Sequence, residues 1–304
     1  MKKAILLFGL SLLLWGCGDP GTGDSKNKEK DVLAVSVLPQ KLFLKKIVGD
    51  TFDIHVVIPP GYSPATFAPT PRQVKELGRA KLYFRIGHIG FETAWMGKIS
   101  ELHPNLKIVD TSAGVQLIHA DHSHHHDGEE NGRETEGEGI DPHIWLSPAA
   151  VKIQAANMLA AMTELAPESR TMFMENYNRF MVEVDQLDAD IRTILREIDN
   201  RKFLVFHPAW SYFARDFALE QHPVEFEGKE PNPLGLRDVV KWAKNEGVRV
   251  IFVQRQFDTN SAMAIAEELK GEVVALDPLA EDWLANMRNI ALTLKKHLGP
   301  EAVK

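Results

Sequence analysis

Side chains able to bind metal crowd the stretch from His119 to Trp145, which reads HADHSHHHDGEENGRETEGEGIDPHIW. Five of the chain's twelve histidines lie at its start: His119, His122, His124, His125 and His126. Neutral imidazole is the commonest protein ligand for zinc and its neighbours, and here it is interleaved with Asp and Glu. Almost nothing apolar accompanies these groups. Residues 119–139 therefore read as a loop that cannot bury enough surface to offset its ordering entropy. The stretch then changes character. In Asp141-Pro142-His143-Ile144-Trp145 one His sits beside a Pro, just before an apolar run that opens a helix, which makes His143 a fixed position. The loop is expected to gather metal, and His143 to belong to the site that holds it. An expression tag or a solvated spacer is the alternative reading of the run; its internal position and its acids argue against both.

A site needs several such groups in one place, and the alternation of strands and helices decides which can meet. Strands are expected at Val32–Leu38, Phe52–Ile58, Lys81–Ile86 and Leu106–Val109. Helices are expected near 40–48, 91–102 and 148–165, with a further one opening at Pro71. Thr70-Pro71 and Ser147-Pro148 each place a capping hydroxyl before a Pro suited to the first helical position. Pro167 then opens a stretch to Asp199 without Gly or further Pro. In it Phe173, Tyr177, Phe180, Val184, Leu187, Ile191 and Leu195 recur at helical spacing. About thirty residues in helix make a rod of roughly 45 Å, long enough to be a strut between two lobes. Two helices with an unmarked break would be the plainer reading. The second half repeats the alternation, with strands at Lys202–Phe206, Val224–Phe226, Val248–Val253 and Glu272–Leu276 and helices near 209–219, 236–246, 261–269 and 281–298. Short apolar strands between helices imply parallel sheets covered on both faces. The expected fold class is α/β, in two lobes, each a four-stranded parallel sheet flanked by helices, joined by one long rigid helix.

Ligands of open parallel sheets bind beyond the carboxyl ends of the strands. His207 directly follows the strand ending at Phe206, and Asp277 the strand ending at Leu276. His88 lies two residues past Ile86, and His143 leads into a helix after the fourth strand. His55 in mid-strand, His103 at a helix end, His222 before a strand and His297 in the last helix fit less well. Any one of the first four alone would pass for a cap or a solvated loop residue. Their joint placement across both halves would close a metal site between the lobes.

Composition bounds the rest. The 304 residues suffice for two lobes, and the net charge of −7 provides no basic face for nucleic acid. Met1-Lys2-Lys3 precedes an apolar segment, Ala4 to Trp15, that is too short for a stable membrane span. Leu14-Trp15-Gly16-Cys17 resembles a bacterial lipobox, although Trp15 stands where a small residue is commoner. Cys17 is the chain's single Cys, so it is the expected lipidation point and no intrachain disulfide is possible. The expected division is a lipoprotein signal peptide at 1–16, a tether at 17–30 and an N-terminal lobe at 31–166. A linking helix at 167–199 and a C-terminal lobe at 200–304 complete it.

Several motifs now converge: Pro60-Gly61 through Pro69-Thr70-Pro71, Gly87 to Glu92, Asp141-Pro142-His143-Ile144-Trp145, His207-Pro208-Ala209-Trp210 with Tyr212, Gly228-Lys229-Glu230-Pro231, and Leu276-Asp277-Pro278-Leu279. With them the chain, from about Val32 onward, resembles the zinc/manganese-binding solute receptors of bacterial ABC transporters, the ZnuA-like or cluster A-I group. The resemblance implies metal held between two lobes and passed to a membrane permease with its ATPase. The lipobox implies a lipid anchor on Cys17 outside the cytoplasm, in the periplasm or at the cell surface, and the chain is expected to be a monomer. The family's second, third and fourth ligands fall on His143, His207 and Asp277. The first does not carry over, because Pro64-Ala65-Thr66 stands where the family has Pro-His-Thr. His88 is expected to replace it, with a loop histidine or water as alternatives. In this family Glu at the third position goes with manganese; His207 here points to zinc, with manganese possible.

Two other readings compete. Three ligands and an open fourth position would also describe a catalytic zinc, but no His-Glu-x-x-His motif is present and no Glu is obviously placed as a base. The chain is therefore not expected to be an enzyme. A metal-dependent adhesin or surface scavenger would use the same pocket without a permease.

Overall fold

The computed structural model describes residues 30–119, 139–225, 232–254 and 260–299. Apolar runs make the inner strands: β1 (Val32–Val35), β3 (Ala80–Arg85), β5 (Lys202–Val205) and β7 (Val250–Val253) supply most of the buried strand residues. The outer strands β2 (Asp53–Val56), β4 (Lys107–Asp110), β6 (Glu220–Pro223) and β8 (Glu272–Ala275) are partly exposed. Two four-stranded sheets result, ordered β2-β1-β3-β4 and β6-β5-β7-β8. Every pairing in both is parallel. The winding direction reverses between β1 and β3 and again between β5 and β7, which sets a crevice beyond the carboxyl ends of those strands.

Helices cover the sheets: α1 (Leu38–Val48), α2 (Pro71–Leu77), α3 (Gly90–Leu102), α4 (Pro148–Leu165), α5 (Arg170–Leu195), α6 (Ser211–Asp216), α7 (Pro233–Asn245), α8 (Asn260–Leu269) and α9 (Trp283–Leu298). Both hydroxyl-Pro signatures start helices where expected. Thr70 Oγ1 accepts from the Gln73 amide, and Ser147 Oγ from the Ala150 amide at 3.0 Å. Thr70→Ala should cost about 1 kcal/mol in urea unfolding, the usual value of such a cap.

The long helix α5 has 26 residues, about 39 Å, and begins after a separate tight turn at Pro167–Ser169. Its buried stripe is Phe173, Phe180, Val184, Leu187, Ile191 and Leu195. It packs on α1 and α4 from the first half and on α9 from the second. Phe43 of α1 stacks on Phe180 at 5.9 Å between centroids and meets Trp283 of α9 edge-on at 5.1 Å. All three are fully buried, so the core runs through the helix layer from one sheet to the other. No helix among the described residues is long and apolar enough to cross a membrane.

One strand lies elsewhere than expected. The strand is Glu220–Pro223, ahead of the expected Val224–Phe226, whose Phe226 lies outside the described residues; it pairs with β5 from Lys202↔Glu220 to Val205↔Pro223. An edge strand needs no continuous apolar run and tolerates Pro, so Glu-Gln-His-Pro gave no strand signal. The ladder continues past it: the Val224 and Glu225 amides donate to the Val205 and Phe206 carbonyls at 2.8 and 3.0 Å. This registry places Glu225 beside the residues that follow β5.

Candidate metal centre

His143 and His207 meet. Their ring centroids are 5.3 Å apart and the rings are inclined at 75°. Both line one cavity of about 50 Å³, with Ser63, Ala65, Gly90 and Gln254 among its other walls. The two imidazoles come from different halves, His143 from the turn before α4 and His207 from the residues after β5.

Each ring is oriented by a buried carboxylate. His143 Nδ1 donates to Asp141 Oδ1 at 2.7 Å, and the same oxygen accepts the His143 amide at 2.9 Å. His207 Nδ1 donates to Glu225 Oε1 at 2.5 Å. Such a bond fixes the tautomer with its lone pair on Nε2 and makes that nitrogen a stronger donor to a metal. Burial alone would raise the Asp141 carboxyl. The His143 ring, the Ser211 hydroxyl and the His143 amide outweigh it and hold the group below the usual carboxylate range, so it stays an anion. The sequence alone assigned neither carboxylate: Asp141, two residues from its histidine, offered a local signal, whereas Glu225 offered none. It is eighteen positions from His207, and only the β5–β6 registry joins them.

The histidine turn is tied to the second half. Trp145 Nε1 donates to the Pro278 carbonyl and Trp283 Nε1 to the Trp145 carbonyl, each at 2.7 Å. Tyr212 Oη donates to the Asp141 carbonyl at 2.7 Å. These buried bonds hold His143 in register with the residues that follow β5 and β8.

The remaining expected positions are distributed around this pair. Asp277 follows β8 and lines an adjoining crevice with Gly61 and Pro60; Leu279 lines both spaces. Its Oδ1 accepts the Leu279 amide at 2.9 Å. His88 does not line the cavity, although Ile89 and Gly90 do. Burial lowers its pKa, with Asp110 of β4 and Arg85 of β3 as its charged neighbours. Among the described residues, no three His, Cys, Asp or Glu side chains are close enough to hold one ion. His119 is exposed and bridges Ile140, closing the base of the His-rich segment. His122, His124, His125, His126 and Cys17 lie outside the described residues.

Ala65 stands in a firmly built place. The Phe91 amide donates to the Pro64 carbonyl at 3.0 Å. A Cβ on Gly90 would come within 2.3 Å of the Ala65 carbonyl oxygen, so only Gly allows this approach. Below it Glu92 accepts from Ser36 Oγ, from the Ile86 amide at 2.8 Å and from the Gly87 amide at 2.6 Å. It thereby joins the ends of β1 and β3 to the first turn of α3.

The other histidines have separate work. His103 Nε2 bonds the Val74 carbonyl at 2.8 Å, His222 stacks on Trp242 at 3.8 Å, and His297 pairs with Glu272 at 2.8 Å. His55 is half-buried in β2, with Glu76 as its charged neighbour.

Two parallel sheets bridged by one long helix, with an imidazole pair between them, define a two-lobed ligand-binding protein of the α/β class. The family described as ZnuA, zinc-uptake complex component A, periplasmic, matches residues 33–297, and the chain belongs to it. A crystal structure of ZnuA is 37% identical with a TM-score of 0.79, covering 87% of this chain and 98% of that one. The zinc-bound structure of a ZnuA deletion mutant is 36% identical with a TM-score of 0.80, covering 89% and 98%. The high-affinity zinc uptake system protein ZnuA of Bacillus subtilis is 24% identical over 274 residues, 88% of this chain and 85% of that protein.

Proposed function

We propose that the protein is the extracytoplasmic solute-binding component of a metal ABC transporter. It captures zinc between its two sheets and delivers it to a membrane permease driven by an ATPase. The observation that carries this reading is the pair of carboxylate-backed imidazoles, His143 and His207, in one cavity. Two nitrogen donors with lone pairs set on Nε2 suit zinc. The zinc-bound ZnuA relative and the zinc-uptake protein of Bacillus subtilis support zinc as the cargo.

The cavity, about 50 Å³, admits an ion with little else, whereas organic ligands occupy roughly 300–1,000 Å³. This favours a receptor over an enzyme. His143, His207 and Asp277 are the ligands assigned first. His88 is the histidine candidate for the fourth position, beside a histidine of the 119–139 loop or water. That loop collects metal more weakly than the cavity, because its composition provides no apolar surface to offset the entropy lost when it orders around an ion. Residues 1–16 are the signal peptide, 17–30 the tether and Cys17 the lipidated residue. Residues 31–166 and 200–304 form the lobes, with 167–199 between them.

Titration of the soluble chain from residue 18 with zinc against a competing chelator tests the reading. One tight site is expected, and it should survive deletion of 119–139. Weak binding that vanishes with the loop would remove the pocket from the function.

A further inference from the structure

The cavity contains a buried polar side chain that is neither a histidine nor an acid, Gln254. Gln254 directly follows β7, as His207 follows β5 two residues on. The registry of these neighbouring strands runs Leu204↔Ile251 and Val205↔Phe252. Continued by two places, it sets His207 level with Gln254. Both residues therefore stand at the point where the second sheet reverses its winding, and both line the cavity together with Ala65 and His143. Gln254 is buried, 5% exposed, and its amide Nε2 has no hydrogen-bond partner among the described residues. A buried N–H without an acceptor is disfavoured, and a cation cannot satisfy it; a metal suits this place only when the carboxamide oxygen occupies it. Amide oxygen and nitrogen are assigned from the surrounding bonds, so a half-turn of the carboxamide presents Oε1 at the same place.

We propose that Gln254 supplies, through its carbonyl oxygen, the fourth contact to the metal, at the vacancy that Ala65 leaves. This deepens the receptor reading and rests on it. It assigns to an amide the position for which His88, which does not line the cavity, was the histidine candidate. A carbonyl oxygen is a harder ligand than an imidazole. The site would then discriminate zinc from manganese less sharply than one with three histidines.

The test is competitive titration of the full chain with zinc and with manganese, comparing wild type with Gln254→Leu, Gln254→Glu and Ala65→His. Gln254→Leu is expected to weaken the tight zinc site about tenfold without changing its stoichiometry. Gln254→Glu, which keeps size and adds charge, should tighten it. In an Ala65→His background the added imidazole should take the position, and Gln254→Leu should then have little effect. Wild-type affinity in Gln254→Leu would overturn the proposal, and so would an equal loss in both backgrounds, which marks a packing role. Neither result touches the receptor reading, which fails separately if His207→Ala keeps the tight site.

Discussion

His207→Ala should weaken zinc binding about a hundredfold or more, and Glu225→Gln should weaken it by a smaller factor without unfolding the protein. The first figure follows from the share of one ligand. Four-ligand zinc sites bind with about 10–16 kcal/mol, so each ligand averages about 3 kcal/mol, and about 1.4 kcal/mol is tenfold. The second follows from the 2.5 Å bond between His207 Nδ1 and Glu225 Oε1. Removing the charge leaves the ring in place but makes it a weaker donor with a less settled tautomer, which typically costs about 10–100-fold. Asp141→Asn should act in the same way on His143, through the bond of 2.7 Å. Chelator competition at pH 7.5 reads the order directly: wild type tightest, the two amide variants between, His207→Ala weakest. If Glu225→Gln bound zinc as tightly as the wild type, the carboxylate would be a packing partner and not a tuner of the ligand. If His207→Ala did so, the cavity would not be the metal site.

The central strands were legible from their short, β-branched apolar runs between turn signals: Val-Ile-Phe-Val in β7 is buried at every residue. The partly exposed edge β6 carried no such demand, and its Glu-Gln-His-Pro sequence hid it. The fold class survived the misplacement, since two inner strands and their order define each sheet. The strand-end rule singled out His207, which follows β5, whereas His143, far along the chain from the end of β4, was marked by its Asp-Pro-His motif and the helix after it; the structure sets the two rings 5.3 Å apart. What the rule cannot provide is the direction of a side chain. His88 satisfies it, yet it does not line the cavity, while its neighbours Ile89 and Gly90 do. Gln254 satisfies it as well as His207 does, but an amide is not a side chain that a search for metal ligands gathers. Glu225 required the β5–β6 registry, a long-range fact absent from any local pattern.

Stability should fall as pH rises from about 4.5 through 7, in the part of the profile that belongs to Glu92. Burial pushes this carboxyl from 4.5 up to about 7, although Ser36, the Gly87 and Ile86 amides and Arg85 all favour its charged form. The folded state thus keeps a proton that the unfolded chain has released. The contribution is full below the unfolded value and is lost through the folded one, amounting to about 3 kcal/mol over the interval. His55, His88 and His222 act oppositely: burial lowers each, so the unfolded chain binds more protons and stability gains as pH rises past their range. The comparison that isolates Glu92 is therefore with Glu92→Gln, measured by urea unfolding from pH 4.5 to 8. The variant sets an NH₂ or an oxygen against the Gly87 amide, so its stability is offset at every pH. Its slope should nevertheless be more positive than that of the wild type by the missing term. Parallel profiles would mean that Glu92 is ionised throughout, held by its three donors against the cost of burial. Because Glu92 anchors the turn that leads to Ile89 and Gly90, that result would also make the cavity wall rigid across the same pH range.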